Sequence, residues 1–448
     1  MARSEGLAMG AWRWLGPGTH VKRWLVLLLL AVALAGLGMG LLLADAYKNQ
    51  HLHFPGIAWY FTLQFLDRGL RGGLLLLLGF GLAVGAFFGL NRSLIGLLIP
   101  EYRGNVADLV RSRRLLARGP RITCIGGGTG MSGLLRGLKE YTTNISAIVT
   151  VADEGSSSGL LRRALAVPPP GDARQCIAAL ADAEPLVAQL LEYRFDARTP
   201  GLEGHSVGNL LLAAMTELTG SFEEALAATS RVLAVRGRIL PATLRDVRLF
   251  AQTTGGERLD GEAVIDRHRG APLARVWIAP DHPPAFAEAI RAILDADLVV
   301  VGPGSLYTSL LPNLLIPEVV AALVACRAPC VYVCNVATEP GATDGYSVAD
   351  HLAAIERHVG RQLFDAVLVH QGPAPALRPE WHVSRPSIEG PALTGTGYRL
   401  LTTPLVSVAR PTRHDSKLLA KALLRALPSL TRHAQQPAPA VTSEALVS

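Results

Sequence analysis

Residues 122–139 read ITCIGGGTGMSGLLRGLK, and this stretch decides the fold. Ile122–Ile125 form a short β-branched run that reads as a strand. Gly126, Gly127, Gly128, Thr129 and Gly130 then break it. From Met131 to Lys139, Met131, Leu134, Leu135 and Leu138 recur at i, i+3, i+4 and i+7, the spacing of one buried helix face. Glycines at such a turn permit positive φ and close backbone approach, and the helix start offers unpaired N–H groups and a positive dipole end. The combination is a cradle for a phosphate or another anion. The Lys-Ser/Thr ending of a nucleotide-hydrolysing phosphate loop is missing, so hydrolysis of that type is not indicated.

Further along the chain the same alternation recurs. Strands are expected at Ile122–Ile125, Ile145–Val151, Arg275–Ala279, Leu298–Gly302, Cys330–Val336 and Ala366–His370. Helices are expected from Asp172, with Gln175 completing a capping box, and from Ser221, with Glu224 three residues on and Gly220 closing the helix before. Another starts at Pro317, in the favoured first turn. Strands alternating with helices predict a doubly wound, mainly parallel α/β sheet. Gly372–Gly397 reads as an irregular insertion, and the tail 431–448 as disordered.

Polar residues cluster where strands end, which is where doubly wound sheets bind ligands. AIVTVADEGSSSGLLR places Asp153, Ser157 and Ser158 there. Asp153 could orient a hydroxyl or hold a metal through water, or it could belong to an acidic turn before a serine-capped helix. In PPPGDARQCIAAL, Asp172 reads equally as an N-cap; in GHSVGNLLLAAM, Ser206 does the same and His205 reads as a structural histidine. LVVVGPGSLYTSLLPNLL ends a buried strand in Gly302, Pro303, Gly304 and Ser305, a second glycine loop on the same edge.

The chain has 448 residues, half of them hydrophobic and 18% charged, and a mean hydropathy of +0.30. Two uncharged windows, Trp24–Ala44 and Gly72–Leu90, account for the excess. Each matches the ~20 apolar residues that cross a bilayer. Arg3, Arg13, Lys22 and Arg23 precede the first, and Arg92, Arg103, Arg111, Arg113, Arg114 and Arg118 follow the second. The positive-inside bias therefore predicts both flanks inside and Asp45–Arg71 outside. The expected layout is an inner segment 1–23, an anchor of two transmembrane helices over 24–99, a basic linker 100–120 and a domain over 121–430. This is a multi-pass inner-membrane protein with a cytoplasmic soluble domain. The net charge of +7 fits attraction to anionic lipid, and no aromatic-interleaved basic stripe is read later in the chain, so no nucleic-acid partner is expected. Cys124, Cys176, Cys326, Cys330 and Cys334 are odd in number and lie in a cytosolic domain, which argues against both a disulfide framework and a zinc site.

Taken in order, GGGTGMSGLLRGLK, DEGSSSG, PPGDARQC, GHSVGNLL, GPGSLYTSLLPNLL, NVATEPGATDGYSVADH and RHDSKLLAKAL resemble the YvcK family, the gluconeogenesis-factor branch of the CofD-like fold. The resemblance covers Arg121–Leu427. It implies a Rossmann-related domain that binds UDP-sugars, UDP-N-acetylglucosamine among them, and supports carbon metabolism, cell-wall growth and cell shape. Carried over position by position, it implies a ligand cleft of Gly126, Gly127, Gly128, Thr129, Gly130, Asp153, Ser157, Ser158, Asp172, Asn209, Gly302, Ser305 and Arg413. The Arg413 guanidinium suits a diphosphate bidentately.

The departures from the family pattern are Glu154 and Ser156 in the acidic loop, and Ala337, Glu339 and Ala342 in the ATEPGAT run. They bear on metal binding and transfer chemistry more than on nucleotide-sugar binding. No nucleophile–base order stands out, so no catalytic residue is assigned. No cofactor is assigned beyond the UDP-sugar ligand; Mg2+ is admitted, with Asp153 its only candidate ligand, and a homo-oligomer is left open. A CofD-like transferase of the 2-phospho-L-lactate type and a membrane scaffold with a vestigial pocket are the competing readings.

Overall fold

The computed structural model describes residues 114–430 except 154, 166, 183, 197, 200 and 389–396. Ahead of these it describes 32, 33, 36, 39, 40, 70, 73, 77, 80, 81 and 83–85, all of them helical. The chain divides into two compact units, Met1–Leu115 and Leu116–Ser448. Most of the two apolar windows and the whole 431–448 tail lie outside the described residues. Among the described residues no single helix is long and apolar enough to cross a membrane.

The second unit is built on a parallel seven-stranded sheet of order β10-β9-β8-β7-β1-β2-β3. Its strands are β1 (Ile122–Gly126), β2 (Ile145–Val149), β3 (Arg238–Pro241), β7 (Leu298–Val301), β8 (Cys330–Val333), β9 (Ala366–His370) and β10 (Arg399–Thr403). The central strands are buried along their whole length, as in LVVV of β7, because crossover helices cover both faces. Strand order reverses between β1 and β7, which pair with Ile125 opposite Val301. Beyond the carboxyl ends of those two strands lies the crevice that a doubly wound sheet offers a ligand.

The helices are α1 (Gly128–Leu138), α2 (Ser156–Leu165), α3 (Gly171–Leu180), α4 (Glu184–Glu192), α5 (Val207–Thr219), α6 (Phe222–Val232), α7 (Glu262–Arg267), α8 (Ala287–Leu294), α9 (Pro317–Ala325), α10 (Val348–Val359) and α11 (Ser416–Ala426). The expected caps at Ser221 and Gly220 are present, with the Glu224 N–H donating to Ser221 Oγ and Gly220 in the left-handed region. Pro317 opens α9 as the sequence predicts.

Three expectations need correction. The segment containing Arg275–Ala279 is a strand, β6 (Leu273–Ala279), but it sits outside the parallel sheet. It pairs antiparallel with β4 (Arg248–Thr253), which also pairs with β5 (Arg258–Asp260). β6 largely alternates buried and more exposed residues, whereas in β4 Leu249, Phe250 and Ala251 are all buried between the exposed Arg248 and the half-buried Gln252. One face of this sheet carries the aromatic-interleaved basic pattern that was not read in the sequence. Phe250 and Trp277 stack at 5.6 Å between ring centres, with Arg258 over both rings and Arg275 over Trp277. Secondly, α3 starts at Gly171 with Pro170 before it, so Asp172 is not its own helix's cap. Thirdly, two strands of the parallel sheet, β3 and β10, were not anticipated.

Candidate functional site

The glycine loop after β1 and the one after β7 touch. A methyl at Gly130 would lie 2.6 Å from the Pro303 carbonyl oxygen, and one at Gly304 would lie 3.2 Å from the Gly127 oxygen. Only glycine permits that approach. Gly128 adopts φ +65 as the first residue of α1. Asn335 clamps the second loop: Gly304 N–H donates to Asn335 Oδ1 at 3.2 Å, and Asn335 Nδ2 donates back to the Gly304 oxygen at 2.9 Å. Asn313 ties the loops from behind, donating to the oxygens of Gly126 and Ser309.

Asp172 arrives from α3, and the Gly128 N–H donates to its Oδ1 at 2.8 Å. A methyl at Gly127 would lie 2.0 Å from Asp172 Oδ2, and one at Gly171 would lie 2.0 Å from Asp153 Oδ2. The two glycines thus give the two carboxylates room. Burial first, and then the Asp153 charge, push the Asp172 carboxyl up to about 7, against the pull of the Gly128 N–H and Arg174.

From Asp153 a chain of hydrogen bonds runs away from the glycine turn. Gly155 N–H donates to Asp153 Oδ1 at 2.7 Å, and Ser158 Oγ donates to Oδ2 at 3.1 Å. Asn209 Nδ2 donates to Ser157 Oγ at 3.0 Å and to Ser158 Oγ at 3.3 Å. Ser157 Oγ lies 3.2 Å from His205 Nδ1. Asn209 is placed for this by Ser206, which caps α5 through the Asn209 N–H.

A second group forms beside Ser305. Burial raises the Glu339 carboxyl above its ordinary range, although the Ser305 hydroxyl, the Leu306 N–H and the Arg413 charge all favour its ionised form. Arg413 is exposed, and its position follows from α11. Gly137 of α1 lets α11 approach so closely that a methyl there would lie 1.9 Å from the Ser416 oxygen. Asp415 caps α11 through the N–H groups of Lys417 and Leu418. Arg413, two residues before that cap, is therefore held near the same edge.

The structure thus brings Gly126–Gly130, Asp153, Ser157, Ser158, Asp172 and Asn209 together, with Gly302 and Ser305 on the adjoining loop. Arg413 stands with Ser305 and Glu339. Sequence reasoning missed three residues. Glu339 and Asn335 were noticed only as members of a motif, with no role assigned, and His205 was read as structural. The Ser157–His205 pair corrects the reading that no serine–histidine order stands out.

Mg2+ finds two facing carboxylates at Asp153 and Asp172, where Asp153 alone was anticipated. No group of three His, Cys, Asp or Glu side chains able to hold a metal occurs among the described residues. Both carboxylates already accept backbone N–H groups. The residues therefore fit a cation only if hydroxyls, water or the ligand complete its shell. All five cysteines are buried and none is in a disulfide, and burial pushes the Cys124 and Cys334 thiols up to about 12.

Comparison with known proteins settles the family. The model of the 2-phospho-L-lactate transferase CofD family matches residues 122–387. The chain belongs to the CofD-like family. A relative from Nostoc sp. is 44% identical over 429 residues, covering 92% of each chain. The gluconeogenesis factor of Bacillus subtilis is 43% identical over 310 residues, covering 68% of this chain and 97% of its own. A crystal structure of a Bacillus halodurans protein superposes with TM-score 0.64 at 41% identity, covering 68% of this chain and 99% of that one. Within the CofD-like family, then, the relatives of this chain include gluconeogenesis factors. The CofD-like match begins at the first residue of β1 and spans both glycine loops.

Proposed function

We propose that this chain is a membrane-anchored, nucleotide-sugar-binding regulator that links carbon metabolism to cell-wall growth and cell shape. The observation that carries the reading is the meeting of the two glycine loops, with backbone N–H groups on one side and a hydroxyl, amide and carboxylate set on the other. Backbone N–H groups and the α1 dipole suit a diphosphate, and Arg413 adds a charge-assisted contact. The uncharged hydroxyls and amide of Ser157, Ser158 and Asn209 suit sugar oxygens. UDP-N-acetylglucosamine is the ligand of choice.

The membrane anchor is supported by the two uncharged windows. The match to the Nostoc relative reaches into this part of the chain: its 92% coverage leaves fewer residues unmatched than Met1–Leu115 contains. Titration calorimetry of the full-length protein in lipid nanodiscs against UDP-N-acetylglucosamine, UDP, GDP and ATP tests the reading. Heat with the UDP compounds supports it. Preference for a guanosine compound, or no heat with any UDP-sugar, overturns it.

A transferase acting on a nucleotide-activated substrate is the second reading, favoured by the CofD family match. Turnover of a nucleotide substrate in the presence of Mg2+ would establish it.

A further inference from the structure

The Ser157–His205 pair has the spacing of a nucleophile and its base. Ser157 is only 2% exposed, however, and its oxygen already accepts from Asn209. A buried hydroxyl with an occupied lone pair attacks poorly. The pair is better understood by following the protons from Asp153.

A carboxylate oxygen can only accept, so the Ser158 hydrogen points at Asp153 Oδ2. Ser158 Oγ must then accept from Asn209, which fixes the amide with Nδ2 toward both serines. The opposite amide orientation would set two acceptors against the single hydrogen of Ser158. Among the described residues the Ser157 hydrogen has no other acceptor, and leaving a buried hydroxyl hydrogen unpaired is costly, so it points to His205 Nδ1. A ring nitrogen that accepts carries no proton, so the ring is neutral and its hydrogen sits on Nε2. Among the described residues Nε2 has no hydrogen-bond partner, and the ring is only partly buried.

We propose that Asp153, Ser158, Asn209 and Ser157 form a one-way hydrogen-bond relay that holds His205 as a neutral donor, its Nε2–H reserved for an uncharged sugar oxygen of the ligand. This assigns a specificity-determining role to His205 and rests on the nucleotide-sugar reading above. A neutral N–H discriminates for a hydroxyl or acyl oxygen, while the phosphates are left to the glycine turn and Arg413. The serines and Asn209 are positioning residues that act through the ring.

Two measurements on the full-length protein test this. Nitrogen–proton correlation spectra of the free protein should show the His205 ring as the Nε2–H tautomer, and Ser157→Ala should return it to a mixed population. A ring protonated on Nδ1 in the wild type overturns the relay. Calorimetry should show His205→Ala weakening UDP-N-acetylglucosamine roughly 3–10-fold, the loss of one hydrogen bond, while UDP is unaffected. His205→Gln, which retains a donor, should recover part of the loss. Equal losses for UDP and UDP-sugar, or none, overturn the donor role and leave the nucleotide-sugar reading intact. A wild type that binds no UDP-sugar overturns that reading and the donor role together, and the tautomer still decides the relay.

Discussion

The Gly128 N–H donates to Asp172 Oδ1 at 2.8 Å, so the first amide of α1 is satisfied by a side chain from α3. The same carboxylate lies where a side chain on Gly127 would have to go. Asp172 therefore shapes the glycine turn from behind, and the turn in turn admits a buried acid beside Asp153. A fold that keeps two carboxylates this close stores a titration in its binding site.

That titration has a definite sign. The Asp172 carboxyl is raised to about 7 when folded, against an ordinary value of about 3.9 when unfolded. Between those values the unfolded chain has lost the proton and the folded one keeps it. The contribution of Asp172 to stability is thus unpenalised below about 4, falls as pH rises toward about 7, and then levels. Asp172→Asn keeps an oxygen for the Gly128 N–H and removes the charge. Thermal unfolding of the variant should lack this part of the fall with pH, on the order of a few kcal/mol at most for a shift of this size. An identical pH slope in both proteins would refute the assignment.

The contact between Gly137 and Ser416 makes a second prediction. A methyl 1.9 Å from a backbone oxygen cannot be relieved by a rotamer change, so α1 and α11 must separate. Overpacking of this kind costs about 1–3 kcal/mol or more. Gly137→Ala should lower the melting temperature and, by displacing the segment ahead of α11, weaken any ligand that Arg413 holds. Gly133→Ala is the control, because its methyl would meet Ser416 Oγ at an ordinary 3.8 Å. Equal stability of the two variants would contradict the packing argument.

Much of this was legible in the sequence, for identifiable reasons. The run from Ile122 to Lys139 switches from strand to helix across a glycine turn, and local rules suffice to read it. The central parallel strands β1, β2, β7, β8 and β9 are largely apolar buried runs, as double burial demands, whereas the edge strands β3 (RILP) and β10 (RLLTT) carry polar residues and were not read. β4 and β5 were invisible because RLFAQT and RLD are short and polar-interrupted, and their antiparallel partner β6 looked like one more parallel strand. Asp172 looked like a cap because its true partner, Gly128, lies forty-four residues away. His205 and Asn335 gain their meaning from long-range contacts, to Ser157 and Gly304, which no local pattern encodes.

The topology of the anchor is open to direct test. The Lys and Arg asymmetry predicts both termini inside and the Asp45–Arg71 loop outside. All five native cysteines are buried, so background labelling by a membrane-impermeant maleimide should be low. A cysteine at Gln50 should label in intact spheroplasts, and one at Ser112 should label only after lysis. Labelling of the Ser112 position before lysis would reverse the orientation, and no labelling at either position would leave no external loop.

The last prediction separates the two halves of the cleft. Arg413 is exposed and sits beside Glu339, whose carboxyl burial pushes toward its neutral form. Burial works against the Glu339 charge and so weakens its competition for the guanidinium, leaving Arg413 for an anionic ligand. Removing a charge-assisted bidentate contact costs roughly 1.5–3 kcal/mol, or on the order of 10–100-fold in affinity. Arg413→Ala should therefore weaken UDP and UDP-N-acetylglucosamine alike, because both present the diphosphate. Arg413→Lys should recover only part, since an ammonium cannot make the paired contact. Gly127→Ala should also weaken both ligands, but by a different route: its methyl meets Asp172 Oδ2 at 2.0 Å, so the turn and the acid must move apart and stability falls too. Calorimetry read beside the melting temperature distinguishes them, with Arg413→Ala losing affinity at unchanged stability and Gly127→Ala losing both. An Arg413→Ala protein that binds both compounds as the wild type does would remove Arg413 from the site.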